Sequence, residues 1–301
     1  MAKDKIKFST SCGFTLIELL VVISIIALLV GILVPGMRGA TRLARNLRQK
    51  SHFHAIDIAL EFFRDYYGDY PDSAVLPSPT AGGNLICGSQ HLVEGVFGRD
   101  LKGFDPKSTW YAPDDRSDTE IYANSEKGST AEEIEASKNR REGPYLELKK
   151  ELAVYMIEQI YKPDTNDYSG PVYSSAFGSM APVITDVFVK KSIEVNSKKI
   201  KVGPPVLYYK ANSSSRLWPV TPNPGMVEQY IYNFEDNDPI VQLNLTDDLN
   251  TEHELDRDKF YEMVTNPKLR YDGPHNPNTY ILISAGWDGI YGTKDDVKNF
   301  N

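Results

Sequence analysis

The chain has 301 residues, 41% of them hydrophobic and 25% charged, with a mean hydropathy of −0.38. That average excludes a protein of many membrane spans, and 12 Phe, 18 Tyr and 3 Trp supply too much apolar bulk for wholesale disorder. Lys plus Arg number 33 against 41 Asp plus Glu, so the net charge of −8 argues against nucleic acid as a partner, and the two cysteines, Cys12 and Cys87, make neither a disulfide framework nor a zinc site.

The composition is uneven along the chain. Phe14 to Val34 reads FTLIELLVVISIIALLVGILV, with Thr15, Glu18, Ser24 and Gly31 as its departures from strongly apolar side chains. As a helix this stretch would run about 31 Å, enough to cross a hydrocarbon core of about 30 Å. It is longer than the apolar region of a secretory signal, and Met37-Arg38-Gly39-Ala40 is a poor cleavage site, so a retained single span is the better reading. Glu18 is the anomaly, because a carboxylate inside an apolar run costs about 2.5–3.5 kcal/mol on insertion scales. Either it lies at the membrane edge, or it meets a cation supplied by another chain.

Gly13-Phe14-Thr15-Leu16-Ile17-Glu18-Leu19 resembles the processing and methylation motif of type IV prepilins and type II secretion pseudopilins. The resemblance implies cleavage after Gly13 by a membrane prepilin peptidase and methylation of the new N-terminal Phe14. It also implies that Glu18 pairs with the Phe14 amine of a neighbouring subunit during filament assembly, each charge offsetting the cost of the other in lipid. Residues 1–13 would then be the leader, whose removal takes Cys12, three lysines and one aspartate and moves the net charge to −10. Lys3, Lys5 and Lys7 favour a cytoplasmic N-terminus, whereas Arg38, Arg42, Arg45, Arg48 and Lys50 after the span argue the other way. The resemblance decides for a single-pass protein of the bacterial inner membrane with its C-terminal part in the periplasm. Arg38, Arg42, Arg45 and Gln49 share one helical face, open to lipid headgroups, a neighbouring subunit or solvent.

Beyond Pro35 the helical spacing resumes with Leu43, Leu47, Phe53, Ile56, Leu60, Phe63 and Tyr67, and Gly68 with Pro71 marks a stop. Residues 14–34 form the transmembrane and assembly half of this helix and residues 35–68 its amphipathic half. Ala59 to Pro71, ending Gly68-Asp69-Tyr70-Pro71, is similar to the helix end of major pseudopilins. Residues 72–170 read as loops and short helices, with a charged insertion at about 111–151. Helices are predicted over Glu132–Arg141 and Tyr145–Tyr161. Strands follow at Pro182–Val189, Ile193–Val195, Lys199–Val202, Val206–Lys210, Tyr230–Phe234 and Tyr280–Ser284, with a hairpin connection at Asn196-Ser197-Lys198. A long helix followed by antiparallel strands predicts an α+β, pilin-like fold, with residues 69–301 as the globular domain.

Near the C-terminus, Asp288, Asp295 and Asp296 fall on a loop opened by Gly286, Gly289 and Gly292. Their spacing suits a solvated turn, or a cation that relieves the repulsion of three carboxylates; it is not an EF-hand. The ending from Ser284 to Val297 is similar to the calcium-binding loop of major pseudopilins, which implies Ca²⁺ held by Ser284, Asp288, Asp295 and Asp296. No HExxH, GxSxG, GxGxxG or P-loop occurs, and Cys87 with a distant histidine is the one trace of a nucleophile pair, so an enzyme is not expected and a membrane-tethered hydrolase is the weakest alternative. The expected role is a pseudopilin of a type II secretion-type filament. Its partners would be copies of itself, other pseudopilins, the prepilin peptidase, the inner-membrane secretion platform and the membrane. A pilin or minor pilin in adhesion, motility or DNA uptake is the alternative.

Overall fold

The computed structural model describes residues 15–77, 85–106, 128–148, 154–161, 172, 181–188, 191–195, 197–219, 225, 229–243 and 253–300. The chain divides into two compact units, Met1–Ala44 and Arg45–Asn301, and helix α1 (Leu16–Tyr67) contributes to both. In the first unit α1 is continuous through Pro35, as a run of Leu, Ile, Val and Ala favours. Its side chains from Leu16 to Val34 are exposed, and this part is long and apolar enough to cross a membrane. The hydroxyls inside it are satisfied within the helix, Ser24 donating to the Leu20 carbonyl at 2.8 Å and Thr41 to that of Met37 at 2.8 Å.

In the second unit the rest of α1 lies against a three-stranded antiparallel sheet. Leu207–Lys210 (β7) pairs with Tyr280–Ser284 (β8), which pairs with Val297–Lys298 (β9). The six strands before them form three two-stranded ribbons: Leu76–Pro77 (β1) with Leu85–Ile86 (β2), Val154–Met156 (β3) with Pro182–Ile184 (β4), and Lys191–Val195 (β5) with Lys198–Val202 (β6). The helices are Gly88–Phe97 (α2), Ala131–Arg140 (α3), Ile157–Tyr161 (α4), Asp238–Val241 (α5) and Arg257–Val264 (α6). The fold is α+β, as expected.

The central sheet is buried on both faces, which explains why β8 reads as an unbroken apolar run rather than an alternating one. One face carries Tyr208, Tyr280 and Leu282 and packs with Phe53, Ile56 and Leu60 of α1 and with Leu92, Val96 and Phe97 of α2. The opposite face carries Leu207, Tyr209, Ile281 and Ile283 and packs with Phe234, Phe260 and Tyr261. Polar links fasten α1 to this domain: Tyr280 donates its hydroxyl to Asp57 at 2.8 Å, and the Val187 amide donates to the buried Gln49 Oε1 at 3.0 Å. Arg45 lies over the Trp287 ring, 4.9 Å from its centroid. The far end of the arginine face is therefore engaged by the protein's own domain rather than by headgroups.

Several expectations are corrected. Leu43 and Leu47 are exposed, each 61%, and the face of α1 turned to the domain begins near Gln49. Among the described residues, the helix expected over Tyr145–Tyr161 is confined to Ile157–Tyr161; the Tyr145 amide instead donates to the Val96 carbonyl at 2.9 Å, and Val154–Met156 is drawn into pairing with Pro182–Ile184. The strand expected over Pro182–Val189 stops at Ile184, because the Asp186 carboxylate accepts from the Phe188 amide and bends the chain. Tyr230–Phe234 is not a strand. Tyr230 makes an isolated bridge to Leu217, and Asn233 then caps a 3₁₀ turn over Phe234–Asp236 by accepting from the Glu235 amide at 3.0 Å. Much of the charged insertion and the Asn196 turn residue lie outside the described residues.

Candidate processing, assembly and cation sites

Gly13 and Phe14 lie outside the described residues, so the site at the N-terminus begins at Thr15. The Thr15 amide and hydroxyl both donate to Glu18 Oε2, at 2.9 and 2.6 Å, and the Glu18 amide donates back to the Thr15 hydroxyl at 3.3 Å. This reciprocal pattern is a capping box that satisfies two amides at the start of α1. The T-x-x-E spacing announces it in the sequence, and Thr15 is a contributor that a reading focused on Glu18 overlooks. Both bonds fall on Oε2, and Oε1 makes no hydrogen bond among the described residues. Glu18 is exposed, so a carboxylate oxygen stays open to a second chain at the head of an apolar helix.

Of the four residues of the acidic ending, Ser284 closes β8 and the three aspartates lie in the turn between β8 and β9. Asp288 and Asp295 lie together: the Asp288 amide donates to Asp295 Oδ2 at 3.0 Å, and the Thr293 hydroxyl donates to Asp295 Oδ1 at 2.8 Å. Burial and the hydrogen bond shared with Asp295 push Asp288 above the usual carboxylate range. For Asp295 burial acts in the same direction, but hydrogen bonds from Asp288, Thr293 and the backbone outweigh it and pull the group down. Asp296 accepts the Gly292 amide on Oδ2 at 2.8 Å, its Oδ1 is buried without a partner, and burial pushes it up to about 7. Gly286 has φ +65°, and a Cβ there would run into the Asp295 carbonyl, so glycine is required for the chain to fold back this closely.

Ser284 is turned elsewhere. Its hydroxyl donates to Asp186 Oδ2 at 2.7 Å, bringing in a residue 98 positions away that no local pattern announces. Among the described residues no three His, Cys, Asp or Glu side chains converge as they would around a metal ion. The turn brings the Asp295 carboxylate onto the Asp288 amide, and beside them Asp296 keeps one buried oxygen without a partner. Asp288, Asp295 and Asp296 fit a hard divalent cation by oxygen type, and Ser284 would contribute only on leaving Asp186.

The pair of histidines in α1, His52 and His54, forms no joint site, and Cys87 is fully buried at the start of α2 with its thiol pushed above the usual range by desolvation, which suits a packing residue rather than a nucleophile.

A family model described as the prokaryotic N-terminal methylation motif matches residues 9–34. The match takes in Gly13, Phe14, the capping box and the apolar run, so the N-terminus is a type IV prepilin-like signal. No curated protein and no solved structure matches the chain.

Proposed function

We propose that this protein is a pseudopilin, a structural subunit of a type II secretion-type filament that is cleaved after Gly13 and methylated on Phe14. The observation that carries the reading is the coincidence of the methylation motif at residues 9–34 with an exposed apolar helix headed by Glu18. The span would hold the protein in the bacterial inner membrane with the domain in the periplasm. The exposed apolar surface from Leu16 to Val34 is suited first to lipid and then, on extraction, to the helices of other subunits. Glu18 would pair through its open carboxylate oxygen with the Phe14 amine of the next subunit, while Thr15 keeps the other oxygen in place. No side chain is assigned a catalytic role.

N-terminal mass spectrometry of the mature protein tests the reading: the expected terminus is N-methylated Phe14, and a Gly13 substitution is expected to leave the leader uncleaved. A mature protein of normal size from that variant refutes the cut site. The Gly68-Asp69-Tyr70-Pro71 helix end and the glycine-aspartate ending support secretion over adhesion. Inside this reading, Ca²⁺ would be held by Asp288 and Asp295, joined by Asp296 and Ser284, and would supply the positive charge that lets the carboxylates ionise together. Thermal unfolding of the full chain in detergent is expected to shift upward with excess Ca²⁺ and downward with EGTA, and an unchanged midpoint sinks the calcium assignment.

A further inference from the structure

A cleft at the C-terminal end of α1 plays no part in the N-terminal chemistry. It encloses about 330 Å³, and the rings of Phe63, Tyr67, Tyr70 and Phe104 wall it. Its carboxylates are Asp69, Asp72 and Glu94. Lys210 Nζ donates to Asp69 at 2.7 Å and Arg99 Nε to Glu94 at 2.8 Å, whereas Asp72 accepts the backbone amides of Ser73 and Ala74. His91 lines the cleft with its side chain 5% exposed; Nδ1 sits 3.6 Å from Glu94 Oε2, and Nε2 is buried without a partner.

Ring faces and carboxylates are electron-rich. The group they suit is a cation with N–H donors and no acceptor, which describes an ammonium. The surrounding surface repeats the preference. Asp65, 73% exposed, stands in the last turn of α1, where the helix dipole is already negative and Arg64 offsets it only in part.

The same domain carries the complementary group. In the β5–β6 hairpin, Ser192 faces Lys201 and Glu194 faces Lys199 on the outward side, Lys198 stands at the turn, and all three lysines are exposed. The hairpin rests on the core through Ile193 and Val202, in the cluster that holds Tyr209, while Tyr70 of the cleft belongs to the cluster of Leu60 and Tyr208. Complementary patches at separate places on one chain, joined head to tail, generate an open filament wherever the rotation between copies does not close into a ring.

We propose that the aromatic and acidic cleft receives a lysine ammonium from the β5–β6 hairpin of a second copy of this chain. The inference rests on the filament reading above and adds to it a contact between globular domains. Filaments assembled from a mixture of isotopically light and heavy full-length chains, treated with a zero-length carbodiimide, test it. Mass spectrometry is expected to find Lys198, Lys199 or Lys201 of one label joined to Asp65, Asp69 or Asp72 of the other. The triple variant K198E/K199E/K201E is expected to lower filament yield about tenfold, and co-expression with D65K/D72K to restore it. The hairpin lysines are exposed, so this variant is expected to unfold at the wild-type midpoint. Wild-type filaments that show such links only between equally labelled chains, or only from other lysines, overturn the inference and leave the filament reading standing. So does an undiminished yield from the triple variant. Failure of the processed wild-type chain to enter filaments overturns both.

Discussion

Asp236 shows how a single residue can set the pH response of the domain. Its side chain is buried, Ser73 donates to its Oδ2 at 2.5 Å, and Oδ1 has no partner. Burial holds the carboxyl well above the usual range, with Asp72 and Glu235 nearby acting in the same direction. The folded state therefore keeps a proton that the unfolded chain loses near pH 4, and stability falls as pH rises from there toward the folded value. The contribution reaches at most about 1.4 kcal/mol per pH unit for one proton. Asp236→Asn keeps an acceptor for Ser73 and abolishes the titration. Its denaturation free energy is expected to fall less steeply between pH 5 and pH 8 than that of the wild type; parallel curves for the two proteins contradict this. Nothing in the sequence singles out Asp236, which lies in a run, Glu235-Asp236-Asn237-Asp238, that reads as a solvated turn. Its character comes from burial, opposed by the hydrogen bond from Ser73, 163 residues earlier in the chain, and only the fold brings the two together. Thr15 and Glu18 are the opposite case: three residues apart at a helix start, they are legible from spacing because the capping box is a local device.

At the scale of elements, legibility follows the range of the forces involved. The amphipathic half of α1 is readable because Phe53, Ile56, Leu60 and Phe63 repeat at the helical period, and these four side chains are buried, together with Gln49, His52 and Ala59. Tyr280–Ser284 is readable as a fully buried strand, and α3 as a helix, its Thr130 and Glu133 forming a second capping box. Helix α2 is not announced: its residues from Gly88 to Phe97 are all buried, so no polar face marks a period, and it starts on Gly88 because a Cβ there would meet the Tyr208 carbonyl. The two-residue strand β9 exists through its partner β8. The joint between α1 and the sheet makes a measurable claim. Tyr280→Phe removes the donor to Asp57, whose carboxyl burial already pushes upward, and is expected to cost about 1–2 kcal/mol in chemical denaturation. The double variant Asp57→Leu/Tyr280→Phe removes both ends of this bond, with the Asn299 side chain that also bonds Asp57 left to find another partner, and is expected to recover part of that loss. A loss for the single variant below about 0.3 kcal/mol would show that the pair carries none of the joint.

For the molecule as a whole, the most telling surface is the face of α1 that the domain leaves uncovered. Within the second unit Leu47, Ile58, Phe62 and Tyr66 are 61%, 45%, 58% and 60% exposed, and the last three recur every four residues along one ridge. Scattered apolar residues need no explanation on a soluble protein, but a ridge with a helical repeat is suited to packing against another chain. The Tyr66 hydroxyl donates to Glu142 at 2.7 Å, so its ring stays apolar surface while its polar end is already satisfied. Exchanging Ile58 and Phe62 for aspartate therefore removes no internal contact on which the core depends. The variant Ile58→Asp/Phe62→Asp is expected to be cleaved after Gly13 and to unfold within about 0.5 kcal/mol of the wild type, as surface changes do. Its incorporation into filaments is expected to drop about tenfold or more, since two buried apolar side chains contribute about 1.5–3 kcal/mol each at a packed interface. Measuring unfolding and filament yield on the same preparation separates the two effects. Loss of stability with normal assembly would place the ridge in the fold of the subunit instead of between subunits.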